Sequence, residues 1–483
     1  MTQTTVYAVG KKARCLAARA TEPDRDQFWV GTDENDGHNE LLLLDYDEER
    51  GQLIPQTFAH PHAVRWIAAP PAAVASADAE PVSASAAVDR ILTCWQDGLA
   101  PGGATLWQCG ATLPTTSDGW QHVADHVLMP LCRYEAHAPS APILRMFWGP
   151  VEPGRLVGVQ PTRLGLYAAE RPAALRHVGL PRTTALSGAP CHFTTWAWDP
   201  QHAAHGAAAV DTAVYGYDLR AATDAPAWSL AHDAVDAWPV RALDFNPNRP
   251  SVLAVATDDG AVQLWDRRAL TAPVAVTAEA AVPRAASPRL ATSPPRPPPP
   301  ASHGPAGAAP PPPATGETPL LSLRHHTHAA RAVQFHPRHD QLLLTAGSDH
   351  RVRLESVVSV SSTPLGRVEP LAYVDSMSEL PLPPAGDEAE VPRGGGAWNE
   401  DDDEDNDEDD PQADSVWEAM DARDAAGVAR PTDGTVAVCD EHEDSAYAVA
   451  WSAGDPWVYA SVSYNGRVIV NTVPAERKYQ ILL

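Results

Sequence analysis

Short apolar runs recur along this chain, each ended by a cluster of turn-forming residues. The clearest case lies between Val240 and Asp266. Val240, Ala242 and Leu243–Phe245 predict a first strand, which Asn246-Pro247 must end because proline cannot donate to a ladder. Val252–Thr257, apolar and β-branched, predicts a second strand. Asp258-Asp259-Gly260 then supplies a tight turn, glycine providing the positive φ that a short hairpin needs. Ala261–Trp265 is a third strand, closing on Trp265-Asp266.

A strand, proline turn, strand, Asp-Gly turn, strand and Trp-Asp ending together form the signature of a WD40 blade, and the rest of the chain repeats it in degenerate form. Blade one is expected at Ala13–Ala18, Phe28–Thr32, Leu41–Tyr46 and Leu53–Phe58. Blade two follows at Val64–Ala68, Ile91–Trp95, Ala104–Gln108 and Val127–Tyr134, with Pro70–Val88 as a long loop. Blade three takes Leu144–Trp148, Leu156–Gln160, Leu164–Ala168 and a weak strand at Ala174–Val178. Blade four takes Phe193–Trp198, Ala207–Val210, Ala213–Tyr217 and Ala227–Leu230. The outer strand of blade five fits either Val274–Val276 or Leu320–Leu323. Blade six runs through Ala332–Phe335, Leu342–Ala346 and Arg351–Leu354, its outer strand displaced to Thr435–Val438. Blade seven has only Ala446–Trp451, Trp457–Val462 and Arg467–Asn471. It lacks a fourth strand, while Thr4–Val9 is a strand without a sheet. Joining the two closes the ring and removes both open edges. The expected fold is all-β: a seven-bladed WD40 propeller over residues 1–483, its last blade completed by the N-terminal strand.

Two insertions interrupt that single domain. Residues 283–319 hold 14 prolines in 37 positions, a composition that forms extended polyproline rather than a core. Residues 365–430 carry a Gly394–Gly396 triplet and the run Glu400–Asp410, acidic at ten of its eleven positions. Both are expected to be disordered and dispensable for folding, since lengthening a hairpin loop ninefold costs only about 2 kcal/mol of closure entropy. Pro294–Pro300 has the form of an SH3-type ligand, and Ser287-Pro288 and Ser293-Pro294 that of phosphorylation sites; a neutral spacer is the plainer reading of each.

Net charge is −27, and the acidic run supplies −10 of it, leaving −17 elsewhere; nucleic acid is therefore not an expected partner. The six cysteines are scattered without a CxxC pair, which fits a reduced, cytoplasmic chain and neither a zinc site nor a disulfide framework. No apolar run approaches the ~20 residues of a membrane helix, and no signal peptide is evident, so direct membrane insertion is not expected.

The candidate chemistry centres on His232, Thr257, Asp259 and Trp265. A His/Asp/Thr arrangement could be catalytic, but these types at these blade positions point to a buried network that satisfies the indole N–H and fixes strand register. Blade five is expected to be the only blade with the whole set. Blade four keeps Asp211 and Tyr217-Asp218, blade six keeps Asp349 with Glu355 at the tryptophan position, and blade seven keeps His442, Ser463 and Asn465 with Asn471 at that position. His325, His326 and His328 cluster, but a metal site needs further converging ligands. No Walker loop, GxSxG or HExxH occurs. No catalytic residue, cofactor or metal is expected. At the C-terminus, Tyr479, Ile481, Leu482 and Leu483 are expected either to pack on the ring or to serve as a short partner epitope.

Several stretches carry a specific resemblance: Val240–Asn248, Asp258–Arg267, His339–Ser362 and Glu441–Leu483, the last including Gly454–Trp457, Ser463–Arg467 and Lys478–Leu483. Val30–Thr32 and Leu44–Glu49 also fit. On these the chain resembles the WD40 family that interacts with the EARP and GARP tethers, the endosome-associated recycling and Golgi-associated retrograde complexes. The match is strong from Asp211 onward and thin over Pro70–Pro190; the Pro-rich insertion and much of the acidic one depart from the family pattern. The resemblance implies a non-enzymatic, monomeric adaptor for vesicle tethers, serving endosomal recycling and retrograde traffic and reaching the trans-Golgi network and endosomes peripherally through its partners. A propeller hydrolase, or a scaffold in ribosome biogenesis or a ubiquitin ligase, are the alternatives.

Overall fold

Antiparallel strands with apolar residues on both faces need cover on both sides, and stacking blades around an axis supplies it. The computed structural model, described for residues 4–71, 89–96, 102–109, 127–138, 141–152, 154–181, 191–230, 238–270, 318–362 and 432–482, shows seven four-stranded antiparallel sheets in a ring. Lettering the strands a to d outward, blade one comprises Ala13–Ala18, Gln27–Thr32, Asn39–Asp47 and Gln52–His60. Blade two comprises Val64–Ala68, Asp89–Trp95, Gly103–Cys109 and Leu128–Tyr134. Blade three comprises Arg145–Trp148, Arg155–Gln160, Arg163–Ala168 and Arg176–Gly179. Blade four comprises Phe193–Trp198, His205–Val210, Ala213–Asp218 and Trp228–Leu230. Blade five comprises Val240–Phe245, Val252–Thr257, Val262–Asp266 and Leu321–Leu323. Blade six comprises Ala330–Phe335, Leu342–Gly347, Val352–Ser356 and Gly434–Cys439.

Blade seven takes Ala446–Trp451, Val458–Ser463 and Arg467–Thr472 from the C-terminal part and Thr4–Ala8 from the N-terminus. Thr4 sits opposite Asn471 and Ala8 opposite Arg467, so the two ends of the chain share one sheet. The outer strand of blade five is Leu321–Leu323, paired with Val262–Leu264. Val274–Val276, the other possibility, lies outside the described residues, as do 365–430 and all of 283–319 except Thr318 and Pro319.

The core is divided rather than central. Each of seven apolar clusters spans two neighbouring blades, from the blade one–seven interface through Phe28 and Val468 to the blade six–seven interface through Leu344 and Tyr459. Strand b of blades five, six and seven is buried at every residue because it is covered on both faces. Adjacent a-strands contact one another around the axis, stitched by side-chain bonds to backbone. Trp66 and Trp148 donate to the carbonyls of Met146 and Ala68 at 2.9 and 3.0 Å, and Asp244 accepts from the Phe335 N–H at 2.7 Å.

The tail differs from a bare terminus. Pro474 presets the first turn, and Ala475–Leu482, rich in helix formers, is an α-helix. No helix among the described residues is long and apolar enough to cross a membrane.

Candidate functional site

Thr257 donates to Asp259 Oδ1 at 2.6 Å, and Gly260 holds the turn at φ +84°. The Trp265 indole donates to Gln263 Oε1 at 3.2 Å rather than to Thr257. His232 lies outside the described residues. Blade five therefore joins Thr257 to Asp259, while Trp265 bonds along its own strand.

Among the described residues, His–hydroxyl pairs stand in blades two, six and seven. In blade two the Trp107 indole donates to Thr93 Oγ1 at 2.8 Å, and Thr93 lies 3.0 Å from His60 Nε2. His60 Nδ1 lies 2.6 Å from the His62 carbonyl. The consistent direction is Trp107 to Thr93 to His60 Nε2, with the Nδ1–H donated to the backbone. In blade six His326 bonds Asp349 at 2.9 Å and Thr345 at 2.8 Å; in blade seven His442 bonds Ser463 at 2.9 Å and Ser461 at 2.8 Å. Burial pulls the His442 imidazole down to about 4, keeping it neutral. Blades two, six and seven thus hold His–hydroxyl pairs, blades six and seven without a tryptophan on strand c. The signal is spacing, a hydroxyl four residues before an Asp or Asn: Thr93 before Asp97, Thr345 before Asp349, Ser461 before Asn465. Blade five has Val255 there, four before Asp259.

The histidine cluster does not converge. His325 pairs with Glu355 and Thr435, His326 belongs to the blade six relay, and His328 meets Thr327. Asp199, His202 and His205 do come within 4.8 Å of one another. There Asp199 already accepts from the Gln201 N–H at 3.0 Å and from Arg267 at 2.7 Å, so a guanidinium holds the place a cation would take.

At the C-terminus, Arg477 is buried and donates to Ser356 Oγ at 2.5 Å, and Lys478 sits 5.5 Å above the Trp457 ring. Ile481 packs on the blade six–seven cluster, whereas Tyr479 and Leu482 remain 60% and 56% exposed. Leu483 lies outside the described residues.

A set of side chains at the propeller axis carries no signal in any single stretch of sequence. In six blades strand a carries a register irregularity at its second position, and such a bulge re-aims a side chain. The residues so placed are Arg14, Arg65, Thr194, Arg241, Arg331 and Tyr447. Blade three adds Arg145, the first residue of its strand a. Most of these side chains, though not that of Arg241, reach a neighbouring blade. Arg14 and Arg65 both engage Asp33, at 2.6 and 2.7 Å. Arg241 holds Asp258 with two bonds, one at 2.6 Å. Arg145 bonds Thr195 at 3.1 Å and the Arg241 carbonyl at 3.3 Å and lies 4.9 Å over the Trp66 ring. Arg331 bonds Ser348 at 2.7 Å and stacks on Tyr447 at 5.6 Å; Arg14 lies on the other blade's side of the same ring at 5.4 Å and on Tyr464 at 5.1 Å. The start of strand a and the end of strand b share one end of every blade, so this set rings one mouth of the channel.

A WD40 model, the WD domain with G-beta repeat, matches residues 227–266, the outer strand of blade four with strands a to c of blade five, and 317–354, the outer strand of blade five with the inner strands of blade six. Along 99% of its length the chain is similar to proteins covered to 98% of theirs: "EARP-interacting protein homolog" of Danio rerio at 30% identity, the protein of the same name from Gekko japonicus at 28%, and "EARP and GARP complex-interacting protein 1" of Homo sapiens at 27%. With a ring of seven blades and end-to-end similarity at that level, the chain belongs to the EARP-interacting protein family of WD40 propellers.

Proposed function

We propose that this chain is a non-enzymatic adaptor that binds multisubunit vesicle tethers of the EARP and GARP type and so supports endosomal recycling and endosome-to-trans-Golgi retrograde transport. The observation that carries the reading is similarity over nearly the whole of both chains to relatives named for interacting with those complexes. A rigid ring that presents loops at two ends suits binding of large partners. The adaptor works as a monomer in the cytoplasm, takes no cofactor and binds no nucleic acid, and it associates with trans-Golgi and endosomal membranes only through its partners. Tyr479 and Leu482, left exposed by the C-terminal helix, are secondary candidates for partner contact.

Affinity purification of the tagged full chain followed by mass spectrometry tests this. Tether subunits common to the two complexes should co-purify above a tag-only control. Recovery of cullin-type or pre-ribosomal proteins in their place would transfer the chain to another assembly.

A further inference from the structure

The channel mouth sets a charge problem that the scaffold does not explain. A chain of net charge −27 gathers five guanidinium groups at one end of its axis. Asp33 is shared by Arg14 and Arg65, and Asp258 serves Arg241. Among the described residues Arg145 and Arg331 have no carboxylate partner; they are satisfied by hydroxyl and carbonyl groups and by aromatic faces. Burial lowers the Arg145 guanidinium to about 10, and the like charges of Arg241 and Arg331 push the same way. Placing like charges together in a partly dehydrated site costs stability unless something anionic enters.

The surrounding groups match what binding sites use. Tyr447 and Tyr464 are half-buried beside the arginines. Trp238, 51% exposed, stands on the same rim just before the strand that carries Arg241. Tryptophan, tyrosine and arginine are the residues that dominate protein-binding hot spots.

We propose that this mouth is the docking site for an extended acidic segment of a protein partner, whose carboxylates pair with Arg145 and Arg331. The inference deepens the adaptor reading and rests on it for the partner's biological identity. The segment enters between the blade three and blade six sides of the channel, and the tyrosines flank its backbone. Nucleic acid fits less well, because a chain of net charge −27 repels a long polyanion.

The test uses the purified full chain and fluorescence anisotropy. The probe is a labelled Glu/Asp-rich peptide of about a dozen residues, with its Gln/Asn counterpart as control. The acidic peptide should bind with a salt-sensitive affinity and the amide peptide should not. Arg331→Glu and Arg145→Met should each weaken binding about tenfold or more. Arg220→Glu, an exposed charge reversal on blade four, should change it less than about twofold. Circular dichroism checks each variant, with Arg331→Gln taking the place of any variant that fails to fold. Equal binding of the two peptides, indifference to both channel variants, or tighter binding of a charge-matched oligonucleotide would overturn the proposal. A synthetic peptide makes this result separable from tether recovery, since either can fail while the other holds.

Discussion

Blades two and five invert each other. Blade five reads most clearly in the sequence, with its Asn-Pro stop, its Asp-Gly turn and its Trp-Asp ending. Blade two is interrupted by segments outside the described residues and lies where family resemblance is thin. Yet blade two holds the continuous relay from Trp107 through Thr93 to His60. The cross-strand register explains why. Trp107 sits opposite Ile91, and Thr93 is two residues further on; Trp265 sits opposite Leu253, and the residue two further on is Val255. One buried side chain decides whether an indole N–H has a hydroxyl in front of it. The lesson is that a motif marks where strands end, while the network inside a blade depends on a pairing across strands that no single run displays.

The largest expected effect comes from removing that hydroxyl in blade two. Thr93 is fully buried, and its single oxygen serves both Trp107 and His60. Thr93→Val keeps the shape and strands a buried indole N–H and an imidazole nitrogen, which costs about 2–3 kcal/mol. Urea denaturation of the variant and the parent measures it. A loss below about 0.5 kcal/mol would make the relay decorative and erase the distinction between the two blades.

Blade five carries its own polar stake in Asp244, and this one is pH-dependent. Burial pushes the carboxyl up to about 7, with the N–H groups of Phe335 and Phe245 pulling it partway back. The folded state therefore holds this proton more tightly than the unfolded chain, where the group titrates near ~4. Stability from this residue is complete below about pH 4 and is lost as pH climbs through about 7. Asp244→Asn keeps an acceptor for the Phe335 N–H and cannot ionise. The variant should gain on the parent between pH 5 and pH 8 by about 1 kcal/mol, discounted because Asp244 retains some solvent contact. Thermal melts at both pH values read the difference. A constant offset would show that the carboxylate is solvated through the channel, and would sharpen the contrast with the dry relay of blade two.

How much of this was legible follows from the same contrast. Strand positions came from local signals, so most bounds differ by one or two residues, and closure by Thr4–Ala8 followed from counting edges. The C-terminal helix does not follow from the apolar residues of the tail; its signal is Pro474 and the helix formers after it. The arginine ring was missed for a deeper reason. Arg14, Arg65, Arg241 and Arg331 stand far apart in the chain and look like ordinary surface charges until the bulges turn them onto one axis. Local pattern encodes strands; convergence at an axis is a property of the closed ring.

The smallest expected effect tests whether one residue separates the two blades. Val255 is fully buried and stands where blade two has Thr93. Val255→Thr is isosteric but adds a hydroxyl, which in an apolar site without a partner costs about 1–3 kcal/mol. Blade five already supplies candidate partners across the strand pair, because Trp265 lies diagonally opposite with its N–H turned to Gln263. The substitution should therefore change stability by less than about 1 kcal/mol, well under the cost of the reverse change in blade two. Denaturation of this variant beside Thr93→Val gives the comparison directly. A loss above about 2 kcal/mol would mean that the new hydroxyl finds nothing, and that blade five differs from blade two by its whole side-chain arrangement rather than by Val255 alone.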